Sequence, residues 1–249
     1  MSWSHSALVA EVYDISHPLG STVGDVEYYT RAVADVRGRI LEPACGTGRV
    51  LIPLLEKGHL VDGVDHSPDM LNICRRYCRE RGFEPELYAA EMSSFVKPDT
   101  YEAVVMPRGS IRNMETREAT LRALECFHTC LRPGGRLLLD VTIPIFVPGA
   151  LPLIEHWTRD PHVYTCETLV VDYDPFLDRT TRYARYAKWA DGELVVTELH
   201  RYYFQHWSIR DFHELLDKAG FVEVKVTGDF TDEPARQGNR YWNFGGTKP

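Results

Sequence analysis

The chain has 249 residues and a formal net charge of -8, from 28 Lys plus Arg against 36 Asp plus Glu. Hydrophobic residues at 44% and charged residues at 26% suit a soluble chain with one full-sized core, and the acidic balance argues against a nucleic-acid partner, which needs a basic face. The start, MSWSHSALVAEVYD, lacks a basic region before an apolar run, and the most apolar stretch (137–147) is broken by Asp140 and Pro144, so a cytoplasmic protein without a membrane span is expected.

Strand and helix patterns alternate through the first 140 residues. Residues 25–36 read as a helix, with Val26, Tyr29, Val33 and Val36 on one stripe. A strand at 39–44 and a helix at 49–57 follow, the latter with Pro53 near its first turn. A second strand at 59–64 ends at Asp65. Ser67 then caps a helix running to Arg81, with Pro68 at its first position. Strands at 86–90 and 101–106 precede a long helix at 115–131 stopped by RPGG, and a fifth strand covers 136–141. Such alternation with short links predicts a parallel sheet covered on both faces. Cys74/Cys78 and Cys126/Cys130 fall within these helices, four apart, while Cys45 and Cys166 stand alone. Paired-thiol zinc spacing is absent, so buried, reduced thiols in a reducing compartment are expected and no metal site.

After Pro144 the pattern changes. Residues 157–207 hold 11 of the 28 aromatics, and the period shifts towards two. Strands at 165–172, 180–189 and 194–204 are predicted, the last two joined by an Asp191-Gly192 hairpin turn. Three strands with tight turns form an antiparallel meander, read as an inserted cap over 146–207. Helical rhythm returns with SIRDFHELLDKAGF, capped by Ser208 with Asp211 and stopped at Gly220. Two final strands, 221–226 and 240–246, complete the chain. The expected fold is α/β: a Rossmann-like, seven-stranded, mostly parallel sheet with a reversed last strand, from residues 1–145 and 208–249, plus the three-stranded cap.

Ligands of open α/β sheets sit beyond the carboxyl ends of the strands. The loop Ala44, Cys45, Gly46, Thr47, Gly48 falls there, between the first strand and its helix. Asp65, 23 positions beyond Glu42, can accept both ribose hydroxyl protons. A dinucleotide fingerprint needs a third glycine where Leu51 stands. Glu42 points a negative charge into the site, favouring a ligand with a cationic end over a diphosphate.

The runs ILEPACGTG, VDGVDHSPDML, AAEMSSF, YEAVVM and LRPGGRLLLDV, in that order, resemble the successive motifs of class I S-adenosylmethionine-dependent methyltransferases. The resemblance covers nearly all of 25–145, and the helix and strands after Ser208 extend it. Ala44 in place of a glycine is its one departure in the first motif. It implies S-adenosylmethionine as cofactor, yielding S-adenosylhomocysteine. The backbone of Ala44, Cys45, Gly46 and Gly48 would hold the methionine portion, with Glu42 facing its amino end. Asp65 would take the ribose hydroxyls, with His66 and Met70 beside the adenosine. Glu91 would accept from the adenine amine and Met92 pack on the ring, though Met70 also fits the core and Glu91 a solvated strand end. Arg108 and Ser110 would face the methionine end and the substrate. Tyr29 resembles a cofactor-carboxylate contact, although it also sits on an apolar stripe.

EVYDISHPLG resembles the lid tyrosine stretch of small-molecule N-methyltransferases, which makes Tyr13 the catalytic candidate; pinning a helix to the core is its alternative role. His17 is either a substrate contact or a turn residue. In the last cap strand Glu198, His200, Tyr202 and Phe204 share one face, with Arg201, Tyr203 and Gln205 on the other. Periodicity leaves open which one looks inward; His200 and Tyr202 are substrate contacts if theirs does. MPRG stands where base-methylating enzymes carry an Asn/Asp-Pro-Pro-aromatic run, and DVTIPIF offers one carboxylate where metal-dependent catechol enzymes need several. An aromatic cap suits a ring-shaped acceptor. The expected activity is methylation of a nitrogen on a small planar heterocycle or amine in secondary metabolism. The YDxSHPxG opening is similar to toxoflavin-type azapteridine methyltransferases. O-methylation, or N-methylation of an amino sugar, is the nearest alternative; a binding protein or a nicotinamide-dependent oxidoreductase is more distant. The protein would act as a monomer or homodimer.

Overall fold

The computed structural model describes residues 6–142 and 151–249, and within them two sheets. Strands β1 (Arg39–Pro43), β2 (Leu60–Asp65), β3 (Leu87–Ala89), β4 (Tyr101–Met106), β5 (Leu131–Thr142), β10 (Val222–Gly228) and β11 (Tyr241–Thr247) form the larger sheet. Its order is β10-β11-β5-β4-β1-β2-β3. β11 runs antiparallel to both β10 and β5, and the other pairs are parallel, so the last strand is reversed as expected.

Alternate residues feed opposite faces of this sheet, as a period of two requires. Leu41, Val104 and Met106 join one apolar cluster with Phe127 of α5 (Arg117–Cys130) and Phe212 of α6 (Ile209–Lys218). Ile40, Ala103 and Val105 join the other. That second cluster takes in Tyr29 of α2 (Asp25–Ala32), Leu54 of α3 (Leu51–Glu56) and Leu71 of α4 (Pro68–Glu80). The predicted caps form: the Ser67 hydroxyl accepts from Met70 N and the Ser208 hydroxyl from Asp211 N. The helix expected at 25–36 ends at Ala32, because the chain must turn to enter β1; Val33 and Val36 stay buried within that turn. RPGG loops out between two stretches of β5, where Tyr101 pairs with Leu131 but Ala103 pairs with Arg136.

The smaller sheet is antiparallel and has four strands, one more than expected: β6 (Leu153–Arg159), β7 (His162–Asp174), β8 (Arg179–Ala190) and β9 (Glu193–Gln205). β6 is an edge strand with most residues exposed, so no apolar alternation announces it. Asp191 and Gly192 have φ of +51° and +81° and close β8 to β9 as a two-residue turn of the primed type. The expected boundary at 145/146 lies outside the described residues. α1 (Ala7–Ser16), capped by Ser6, bridges the two sheets. Glu11 accepts from Tyr164 of β7 at 3.0 Å and Lys188 of β8 at 2.9 Å, whereas Asp14 accepts from Tyr77 of α4 at 2.8 Å. All six cysteines are free and five are buried. No helix among the described residues is long and apolar enough to cross a membrane.

Candidate active site

The loop after β1 turns back through left-handed backbone, with φ of +54° at Ala44 and Gly46 and +89° at Gly48. This brings the loop backbone to the carboxyl edge of the sheet, with the Cys45 amide donating to the Val64 carbonyl at 3.1 Å and the Gly48 amide to the Cys45 carbonyl at 2.9 Å. Asp65, at the end of β2, ties the loop down: its Oδ2 accepts from Gly46 N at 2.9 Å and its Oδ1 from Ser67 N at 2.9 Å. Burial raises the Asp65 pKa, opposed by the Ser67 amide, the His66 charge and the Gly46 amide.

A cavity opens over this loop. Its walls include Ala44, Gly46, Asp65, His66, Met70, Glu91, Met92 and Ser110, eight of the residues that the sequence nominates, together with Asn113 and Met114. Apolar Met70 and Met92 are almost fully buried, and Glu91 is exposed at the rim. Glu42 is 2% exposed, and its Oε2 has no hydrogen-bond partner. Burial pushes its pKa well above the carboxylate range, against the pull of Arg49. An orphaned buried carboxyl beside this loop fits a ligand that brings its own cation, as the amino end of S-adenosylmethionine does. The donor set fits the rest of that molecule: a carboxylate for the ribose, thioether side chains for the adenine ring and a glycine loop for the methionine backbone.

A second cavity, of about 340 Å³, lies between α1 and the inner face of the antiparallel sheet. Trp157, Tyr186, Tyr202, Phe204 and Arg182 line it from the sheet, and Val9, Val12, Tyr13, Ser16 and His17 from the helix. The face carrying Glu198, His200, Tyr202 and Phe204 is therefore the inward one. Register explains this lining, since Tyr202 pairs with Arg182, His200 with Ala184 and Glu198 with Tyr186, so all point the same way. His200 sits on this face, with its Nε2 in hydrogen-bond contact with Glu198 Oε2 at 2.8 Å and a stack on Tyr202 at 6.1 Å, but it is not a wall residue.

Tyr13 and Asn113 line both cavities. The Tyr13 ring lies directly over the loop: its Cε1 is 3.8 Å from where a Cβ on Gly46 would be. Burial raises the pKa of its phenol above 10, so it is un-ionised at neutral pH. His17 has its pKa lowered to about 4, by burial first and then by the charges of Arg108 and Arg49, so its imidazole is neutral.

Besides Glu42, which lines neither cavity, four nominated residues stand behind these walls. Tyr29 is fully buried, and its hydroxyl donates to Asp140 Oδ1 at 2.7 Å. The Cys45 side chain is buried in the core beside Gly63. Gly48 lets the loop pack closely on α4 and α3, because a Cβ there would meet Cys74 Sγ at 2.8 Å and Ile52 Cδ1 at 2.9 Å. Arg108 has φ +66° and donates its amide to Asp140 at 2.9 Å, while its charge reaches Tyr13 and His17. Asn113, Trp157, Arg182 and Tyr186 were not nominated. The alternation of Arg182, Ala184 and Tyr186 on β8 was the available signal for two of them.

A methyltransferase-domain family matches residues 40–135. The demethylmenaquinone methyltransferase of Thermus thermophilus is 35% identical over 153 residues, which are 59% of this chain and 67% of that protein. A dTDP-3-amino-3,6-dideoxy-alpha-D-glucopyranose N,N-dimethyltransferase of Streptomyces fradiae is 29% identical over 146 residues, 55% of this chain and 54% of that one. The fold is similar to that of the CcbJ methyltransferase from Streptomyces caelestis, with a TM-score of 0.77, 19% identity, and coverage of 99% of this chain and 100% of the other.

Proposed function

The chain belongs to the class I S-adenosylmethionine-dependent methyltransferases, and from that membership we propose that it methylates a nitrogen of a small planar heterocycle or amine in secondary metabolism. An azapteridine of the toxoflavin type is one such ring. The observation that carries this reading is the position of Tyr13, which lines both the cavity over the Gly46 loop and the aromatic one. The aromatic cavity is within the size range of small-molecule sites. In this reading residues 1–145 and 208–249 bind the cofactor and 146–207 cap the acceptor. The protein works in the cytoplasm as a monomer or homodimer, without nucleic acid.

When bound, S-adenosylmethionine supplies a methyl group on a sulfonium whose sulfur leaves as a neutral thioether. Asp65 and Glu42 hold the two polar ends of that molecule. The Gly46 loop and Tyr13 then set the line along which the acceptor approaches, and alignment is where most of the catalytic gain of such a displacement arises. Trp157, Tyr186, Tyr202 and Phe204 hold a ring by stacking and exclude water. A nitrogen acceptor suits this neck because it attacks with its own lone pair. His17, with a pKa of about 4, is a poor base for stripping a hydroxyl proton. The likeness to a sugar N,N-dimethyltransferase favours a second reading, in which the nitrogen belongs to an amino sugar.

The test is turnover of S-adenosylmethionine against planar nitrogen heterocycles, nucleotide-linked amino sugars, catechols and naphthoquinols, with products located by mass spectrometry and NMR. A methyl on heterocyclic or amine nitrogen is expected. Methylation confined to oxygen or carbon acceptors would overturn the proposal.

A further inference from the structure

Two arginines of the acceptor side, Arg112 buried and Arg182 half-buried, have no carboxylate partner among the described residues. Arg112, in the short 3-10 turn Ser110–Asn113, is 7% exposed; its Nε donates to the Gln205 carbonyl at 3.1 Å, and an Nη lies 3.5 Å from His206 Nδ1. Arg182, on β8, lines the acceptor cavity, and its buried Nε has no hydrogen-bond partner. Both guanidinium carbons approach one ring, Phe204, at 5.5 Å and 4.8 Å from its centroid.

The contrast with Arg49 is instructive. That buried arginine is matched by Asp25, which takes both its Nη1 and Nη2. Among the described residues, no ion pair reaches Arg112 or Arg182. Glu155, the carboxylate of the cavity wall, is exposed and makes no ion pair with them, and Asp178 is held by the Tyr173 hydroxyl at 2.8 Å. His206 cannot serve as a counter-charge, since a neutral imidazole carries none. Burial and the neighbouring Arg182 together lower the Arg112 pKa to about 10, the mark of two cations sharing a poorly hydrated space. Stacking on Phe204 offsets only part of this cost, because a ring quadrupole is a weaker partner than an anion.

We propose that the methyl acceptor carries an anionic group, a carboxylate or a phosphate, that binds the Arg182 guanidinium in the aromatic cavity with Arg112 as the positioning charge behind it. This rests on the reading that the second cavity holds the acceptor. A planar guanidinium with a free edge donates in parallel to two oxygens of either anion, so ring stacking and charge together fix the acceptor's orientation. The acceptor class narrows to an anionic ring compound or a phosphorylated one.

The experiment titrates the S-adenosylhomocysteine-loaded protein with 4-aminobenzoate and phenyl phosphate, and with 4-aminobenzamide and phenol as their neutral counterparts, at constant ionic strength. An anion should bind at least about tenfold tighter than its neutral partner, as expected for a desolvated charged contact. The stronger of the two anions identifies carboxylate or phosphate. Arg182→Met should erase the preference and Arg182→Lys retain part of it, with the S-adenosylhomocysteine affinity of each variant as the control for folding. Equal binding of anions and neutral probes, no binding of any probe, or a preference that survives Arg182→Met would overturn the proposal. Failure to bind S-adenosylhomocysteine would count instead against the cofactor reading of the first cavity.

Discussion

The rings of Tyr13 and His17 stack at 4.8 Å with 22° between their planes, one turn apart on α1. Tyr13 thereby presents its edge to the Gly46 loop and the first cavity while its face is fixed by a neutral imidazole. A hydroxyl that aligns the acceptor contributes to the rate and little to packing. Tyr13→Phe should lower kcat by roughly tenfold to a hundredfold, towards the low end of what positioned polar groups supply, with an unchanged thermal melt. An unchanged rate would leave Tyr13 as a packing residue only.

The depressed pKa of His17 has a defined pH signature. Its folded value of about 4 lies below the unfolded value of about 6.5. The stabilisation it contributes is therefore full above pH ~6.5 and is lost as pH falls towards 4. Buried His206, also lowered to about 4, behaves alike. An NMR titration of the imidazole signals should find both neutral throughout pH 5.5–8. A midpoint near 6.5 for either would contradict the buried geometry.

Glu42 makes the opposite prediction for ligand binding. Burial favours its protonated form in the free protein, and a cationic amino end favours the carboxylate. Binding of S-adenosylhomocysteine should release protons, so affinity rises with pH above the ordinary carboxylate range, by at most about tenfold per unit for one proton. Calorimetry in two buffers of different ionisation enthalpy measures the release. Glu42→Gln should bind more weakly and lose the pH dependence; proton uptake by the wild type would contradict this role.

Two of the three left-handed loop positions, Ala44 and Gly48, respond oppositely to exchange. Ala44 holds φ +54°, where a Cβ costs roughly 1–2 kcal/mol, so Ala44→Gly should preserve or raise stability. Gly48→Ala adds that strain and a Cβ 2.8 Å from Cys74 Sγ and 2.9 Å from Ile52 Cδ1, and should cost about 2 kcal/mol or more. Chemical denaturation of both variants checks the pair.

The parallel sheet is legible in the sequence because its central strands are buried on both faces and end at turn signals, as β1 does at Ala44 and β2 at Asp65. Caps at Ser67 and Ser208 and the Asp191-Gly192 turn are local chemistry and read directly. β6 is not legible, since an exposed edge strand carries no alternation. The second, aromatic cavity is only half legible. Tyr202 and Phe204 follow from alternation, but which face is inward depends on α1, whose Glu11 and Asp14 fasten it to β7 and α4. Arg112 and Arg182 meet at Phe204 only through long-range pairing, and no local pattern joins them. Tyr29 shows the converse: its helical stripe correctly signals core, and its hydroxyl serves Asp140.

In the proposed reading the Gly46 loop and Asp65 build the cofactor site beside Tyr13. Calorimetric titration of the intact protein with S-adenosylhomocysteine tests it most directly. One molecule should bind per chain with a Kd on the order of micromolar, a free energy of about -8 kcal/mol. Asp65→Ala, which removes the ribose acceptor and the Gly46 tether, should weaken that by about a hundredfold, in line with loss of a buried charged hydrogen-bonding group. Undetectable binding to the wild type, or equal binding by Asp65→Ala, would contradict it.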